Sequence, residues 1–307
     1  MQKLHHFIAP LGLLSVRPTI RSGSEYGITT LRLLPIILLF AVLSCTGQTA
    51  AQQAIPYQWD ARERIAKPDL SALTRLRFLT TTDFFPFNFI DEGGHLAGFH
   101  VDLSRAICTA LDILDRCQIQ AVPFDELASA LEKGEGEAIV AGLAVTRQNR
   151  ENFLFSRSYL QFPARFVTRK DADVREPLTE WLAGKRVGVV EATAHEEMLR
   201  DFFPGVEPVL LTNEAELIRS LAGSKLDAVF ADGMRLGFHL ADGEGHACCA
   251  FAGGPYLAPE YLGQGLAIAV RRDTPVLAAA IDYALWSIET SGGFDELYLR
   301  YFPVGFY

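Results

Sequence analysis

Residues 77–104 read RFLTTTDFFPFNFIDEGGHLAGFHVDLS, and this stretch decides the fold. Phe78 and Leu79 belong to an apolar strand that runs into a small polar turn. Asp83 follows, with the aromatic cluster Phe84, Phe85, Phe87 and Phe89. A tight turn at Glu92-Gly93-Gly94 precedes Gly98-Phe99-His100-Val101-Asp102-Leu103, which opens a helix. An acid and aromatic faces at a strand end make a wall for a small polar ligand.

The same alternation continues along the chain. Strands are expected at 76–81, 118–122, 137–142, 165–169, 186–190, 207–211, 226–231 and 264–271. Helices are expected at 100–112, 124–133, 146–152, 178–183, 194–202, 213–222, 233–240, 275–290 and 292–301. Strands separated by helical runs imply an α/β protein with parallel sheets. Residues 52–75 are polar and read as a loose lead-in. Gly134-Glu135-Gly136-Glu137-Ala138-Ile139-Val140 is a helix stop followed by a buried strand, and Gly223-Ser224-Lys225-Leu226-Asp227-Ala228-Val229 repeats that logic.

Residues 32–45, RLLPIILLFAVLSC, are almost wholly apolar after Arg32, and Thr49-Ala50-Ala51 are small. A basic start, a short apolar run and a small-residue site read as a secretory signal over residues 1–51. The run is shorter than the about 20 residues of a comfortable membrane span. Lipoprotein processing at Cys45 is the minority alternative, because Leu43 suits a lipobox poorly there. Cleavage after Ala51 leaves 24 basic and 36 acidic residues, a net charge near −12. That balance excludes nucleic acid, whose binding needs clustered Lys and Arg. At 307 residues and 49% hydrophobic composition, the chain has room for two domains. In an oxidising compartment Cys108, mid-helix, can pair with Cys117 in the following turn; two buried free thiols are the alternative. The adjacent Cys248 and Cys249 receive no assignment. A vicinal bond is strained, and zinc would need two further ligands that His246 alone does not supply.

Several motifs in order resemble the bacterial extracellular solute-binding proteins of family 3, the amino-acid-binding receptors of ABC importers. They are FFPF at 84–87, GFHVDL at 98–103, AGLAVT at 141–146, FSRSY at 155–159, LAGKRVGVVEAT at 182–193, LDAVFAD at 226–232 and GGFDELYLRYF at 292–302. The resemblance implies a two-lobed periplasmic binding protein fold of type II, with mixed or parallel sheets flanked by helices and two crossing hinge strands. Lobe 1 would hold residues 76–165 and 265–307, and lobe 2 residues 169–260. The crossings would be Phe162–Thr168 and Tyr261–Ile268. Ligands in open α/β sheets bind beyond the carboxyl ends of strands, hence in the cleft between lobes. The partners implied are a small-molecule ligand and an inner-membrane ABC permease, with the chain a monomer in the periplasm. Some members also carry a small loop disulfide like Cys108–Cys117.

The ligand-facing set is Asp83, Phe84, Phe85, Phe124, Gly142, Leu143, Ala144, Thr146, Arg150, Thr193, Ala194, His195 and Asp232. By resemblance Asp232 accepts an amino group; it is equally placed to cap helix 233–240. Thr193 and Ala194 stand at a helix start, where backbone N–H groups suit a carboxylate. His195 is either a contact or a solvent-facing first-turn residue. Phe84, Phe85 and Phe124 are apolar walls whose faces attract an ammonium, although some of the phenylalanines belong to the core.

The family's carboxylate clamp is a hydroxyl-rich strand end followed by Thr-x-x-Arg, and here the chain departs. Ala141, Gly142 and Ala144 replace the hydroxyls, and Asn149 stands where the Arg is expected. Arg150 is one residue later, roughly 100° around a helix, and Arg147 is the other candidate. No catalytic, metal or cofactor motif stands out, so a non-enzymatic receptor without cofactor is the expectation. The alternatives are an enzyme like the periplasmic cyclohexadienyl dehydratases, or an accessory protein of a periplasmic quinoprotein dehydrogenase.

Overall fold

The structure, a computed structural model, describes residues 55–56, 59–60 and 62–307. The expected signal segment 1–51, with Cys45, lies outside the described residues. The chain runs through β1 (Leu76–Thr80), a meander of β2 (Asp83–Phe84), β3 (Asn88–Ile90) and β4 (Leu96–Ala97), and helix Phe99–Ala110. Then come β5 (Cys117–Ala121), β6 (Ala138–Ile139), β7 (Phe153–Phe155), β8 (Ala164–Arg169), β9 (Arg186–Val190) and β10 (Glu207–Leu211). The last strands are β11 (Ala228–Asp232), β12 (Cys249–Tyr256) and β13 (Ala269–Arg271).

These strands form two five-stranded sheets, ordered β5-β1-β6-β13-β7 and β10-β9-β11-β8-β12. In each the first three strands are parallel; β13 and β8 run antiparallel to them, and β7 and β12 pair antiparallel to β13 and β8 in turn. Each sheet buries its own apolar residues, so there are two lobes with separate cores. The result is the mixed α/β, two-lobed fold that the motifs imply.

Helix Phe99–Ala110 shows how sequence fixes the first lobe. Phe99, Leu103 and Ile107 recur every fourth residue and are buried, while Arg105 stays exposed. Its first N–H groups have no side-chain cap. The Phe99 and His100 amides donate instead to the Pro86 and Phe87 carbonyls, at 3.0 and 2.8 Å. The meander therefore caps the helix. A side chain at Gly98, which has φ 126°, would lie 2.3 Å from the Phe87 oxygen. Cys108 and Cys117 are disulfide-bonded, which fastens this helix to β5. Cys248 and Cys249 are bonded to each other, an arrangement that the sequence reading left unassigned.

Two expectations need correction. The lead-in is not loose. Trp59 is buried against the first core, the Arg157 guanidinium lies 4.3 Å over its ring, and Arg157 forks onto Glu63 at 2.6 and 2.7 Å. The expected strand 264–271 narrows to Ala269–Arg271, because the segment before it pairs with the chain that leads into the other crossing. Leu266 donates to the Leu160 carbonyl at 2.7 Å, and Tyr159 donates to the Leu266 carbonyl at 2.9 Å. Strand β12 was not foreseen. Its Gly253-Gly254-Pro255 reads as a turn, and the structure places a register shift there.

Glu137 and Asp227, the repeated acids, sit at strand starts rather than at the cleft. Glu137 accepts from the Arg77 amide at 2.7 Å and from its guanidinium at 3.1 and 3.2 Å. Asp227 takes the same bonds from Arg186, at 2.9, 3.0 and 3.2 Å. Each acid thus ties together two strands of one sheet. Burial pushes the Glu137 carboxyl up, but its bonds to Arg77 outweigh that and hold it below the ordinary value. The Glu137 side chain is 14% exposed and that of Asp227 29%. Glu137→Ala should therefore destabilise by about 2–4 kcal/mol, and Asp227→Ala by less. Urea melts of the two variants check the order, and equal losses would contradict it.

Candidate functional site

The carboxyl ends of the strands carry the expected residues, and the two lobes contribute differently. In the first lobe, the ends of β1 and β5 open a pocket of about 360 Å³ lined by Thr81, Thr82, Asp83, Ala121, Val122, Pro123 and Phe124. Asp83 and Phe124 are exposed there, far apart in sequence but together in space. Larger hollows, about 440 Å³ beside Cys108–Cys117 and about 510 Å³ around Arg169 and Lys185, lie away from these strand ends.

Phe84 is half-buried, stacked 4.7 Å from the fully buried Phe87. Its ring lies over Gly142, where a Cβ would come within 2.9 Å of it, and Gly142 has φ 75°. Only glycine accommodates both conditions. Phe85 is 67% exposed. It packs 5.0 Å from Phe89 and 6.1 Å from Phe238, which belongs to helix Gly233–Ala241 of the second lobe. Phe85 thus bridges the lobes rather than lining the pocket of the first.

The turn after β6 holds Leu143, Ala144 and Thr146. Leu143 packs on the first lobe's smaller core. Thr146 caps the six-residue helix Arg147–Asn152, its hydroxyl accepting from the Asn149 amide at 3.1 Å. Asn149 turns its own amide back to the Ala144 carbonyl at 2.8 Å. Arg150 donates to Gln264 on the second crossing at 2.9 Å. Arg147 is exposed.

In the second lobe three strands end at three capped helix starts. After β9, the Thr193 hydroxyl accepts from the Glu196 amide, and the Glu196 carboxylate accepts from Ala192. This is a capping-box variant, whose T-x-x-E signature at 193–196 the sequence reading passed over. After β10, Asn213 caps helix Glu214–Ala222. After β11, the Asp232 carboxylate accepts from the Arg235 amide at 2.9 Å. Burial raises the Asp232 carboxyl above its ordinary value, against the Arg235 amide and charge that lower it. Arg235 and Glu214 form a pair across the two helices, at 2.8 and 3.0 Å. Sequence reasoning missed this pair, since the partners lie 21 residues apart on different helices. Ala194 is half-buried beside the cap. His195 is not solvent-facing: its Nε2 is buried, with no hydrogen-bond partner among the described residues. Burial depresses its pKa to about 4, with Glu214 opposing and Arg235 assisting.

The first lobe holds a second buried imidazole, His100, whose pKa burial depresses to about 3. Both are neutral in the fold, whereas an unfolded histidine takes its proton near 6.5. Stability is therefore undiminished above about 6.5. It falls as pH drops below that value, by up to about 1.4 kcal/mol per pH unit for each group. The loss from His195 ends near pH 4 and that from His100 near 3. Chemical denaturation between pH 7.5 and 4.5 should show His195→Phe with a shallower slope, by about one proton. Equal slopes would contradict the assignment.

The family model of the bacterial extracellular solute-binding proteins, family 3, matches residues 76–304. The chain belongs to this family. It is 30% identical over 248 residues to the L-arginine-binding protein of Pseudomonas aeruginosa, covering 79% of this chain and 93% of that protein. It is 27% identical over 234 residues to the lysine/arginine/ornithine-binding periplasmic protein of Escherichia coli, covering 76% and 89%. In structure, the fold matches substrate-binding domain 2 of Lactococcus lactis GlnP with TM-score 0.64 at 18% identity, covering 78% of this chain and 100% of that domain. The L-cystine solute receptor of Neisseria gonorrhoeae gives 0.63 at 16%, covering 76% and 94%. The molecule is a family 3 solute-binding protein. Among the described residues no helix is long and apolar enough to cross a membrane.

Proposed function

We propose that this family 3 receptor takes a cationic solute of the basic amino-acid type and delivers it, as a monomer, to an ABC permease. One observation carries the reading. The strand ends offer Asp83 and Asp232 with Phe124 and Phe84, while the neighbouring cations Arg150 and Arg235 already hold Gln264 and Glu214. A site with acids and aromatic faces, where two of the neighbouring guanidinium groups are engaged, favours an ammonium or guanidinium. Asp232 is poised for this role, since a bound cation would offset the desolvation that raises its pKa. The names of the arginine- and lysine-binding relatives point the same way. Those relatives are binding proteins, which supports a receptor rather than an enzyme. The secretory signal read at residues 1–51 supports a periplasmic location.

Calorimetric titration of residues 52–307 with L-arginine, L-lysine, L-ornithine and L-histidine, against L-glutamine and L-glutamate, tests the proposal. At least one basic amino acid should bind, and Asp232→Asn should weaken it about 10- to 100-fold. Preference for L-glutamate, or undiminished binding by the Asp232→Asn variant, would refute it.

A further inference from the structure

A chain of buried hydrogen bonds runs from Tyr159, which pairs with the second crossing, to the wall of the first lobe's pocket. Tyr159 OH lies 2.6 Å from His100 Nε2. His100 Nδ1 lies 2.5 Å from Asn88 Oδ1, and Asn88 Nδ2 donates to Thr81 Oγ1 at 2.7 Å. Asn88, His100, Tyr159 and Thr81 are all buried. The Tyr159 amide also bonds to Leu266, a residue of the second crossing. Thr81 is one of the residues lining the pocket.

The direction of this chain is fixed by its inner end. Burial holds the Tyr159 phenol well above its ordinary pKa, so it keeps its proton. That proton needs an acceptor, because a buried unsatisfied donor costs about 1–3 kcal/mol. The acceptor in reach is His100 Nε2, which must then be bare. The neutral imidazole carries its proton on Nδ1 and donates to the Asn88 oxygen. The Asn88 amide nitrogen consequently faces Thr81 and donates. Thr81 receives a bond and still has a proton to give, and among the described residues its hydroxyl donates to none. The reversed chain would leave the Tyr159 proton buried and unpaired.

We infer that Tyr159, His100 and Asn88 are positioning residues that set Thr81 as a hydrogen-bond donor to an acceptor group on the ligand. The inference rests on the receptor reading above and adds a feature to the ligand. Besides its cationic end, the ligand presents a carboxylate or carbonyl oxygen to Thr81. The relay also links the hydroxyl's direction to the second crossing, since Tyr159 at one end of the relay bonds through its amide to Leu266 of that crossing.

The test combines a ligand-free measurement with a double-mutant cycle. Nitrogen-15 NMR of the ligand-free protein should show His100 protonated on Nδ1 and bare on Nε2; protonation on Nε2 overturns the relay. In calorimetry with the basic amino acid that binds most tightly, Thr81→Val should lose about tenfold in affinity and Thr81→Ser should retain it. Tyr159→Phe should weaken binding when Thr81 is present and cause no further loss in the Thr81→Val background. A merely structural role for Tyr159 would give the same loss in both backgrounds, and that result overturns the inference, as does full affinity in Thr81→Val. Melting curves confirm that each variant is folded. If the wild type binds none of the four basic amino acids, the receptor reading fails and takes the ligand contact with it, while the imidazole measurement still decides the relay.

Discussion

The two main-chain hydrogen bonds between residues 159–160 and Leu266 are the joint on which this architecture turns. The second crossing passes this point and the first begins just after it, and on either side each sheet has buried clusters of its own. Met234, Phe238 and Phe251 of the second lobe also pack against the first core. The carboxy-terminal segment braces the joint. Tyr307 OH bonds both the amide and the carbonyl of Gln161, and Arg165 donates to the Phe306 carbonyl. Phe85 and Phe238 add an apolar contact between the lobes.

Electrostatics gives the strand ends their character. In the second lobe, each helix start has its first amides satisfied by Thr193, Asn213 or Asp232. The Glu214–Arg235 pair ties two of those starts together. In the first lobe, Arg150 is drawn to Gln264 and Asn149 to its own turn. Acids and aromatic rings remain for the solute. A half-buried carboxyl such as Asp232, raised by desolvation, gains more from an incoming cation than a solvated one would.

Much of this was legible in sequence. The alternation of strands and helices and the pairing of Cys108 with Cys117 follow from local pattern and compartment, and the two lobes from the motifs' resemblance to the family. So does the wall of Asp83 and Phe124, because residues at successive strand ends share one edge of a sheet. What stayed hidden was long-range. Nothing local says that Arg157 reaches Trp59 and Glu63, that Arg150 finds Gln264 114 residues away, or that His100 meets Tyr159. His195 was unreadable for a related reason. At a helix start its exposure depends on the neighbouring elements, which here enclose it beside Phe230. The acids Glu137 and Asp227 were visible as a repeat, but their place at strand starts required the partner arginines in space.

The central claim is that two lobes close on a cationic amino-acid-type solute about the Leu160–Leu266 joint. Small-angle X-ray scattering of residues 52–307, with and without a saturating basic amino acid that binds by calorimetry, addresses it most directly. The account predicts a smaller radius of gyration in the bound state. An unchanged radius despite saturation would contradict it.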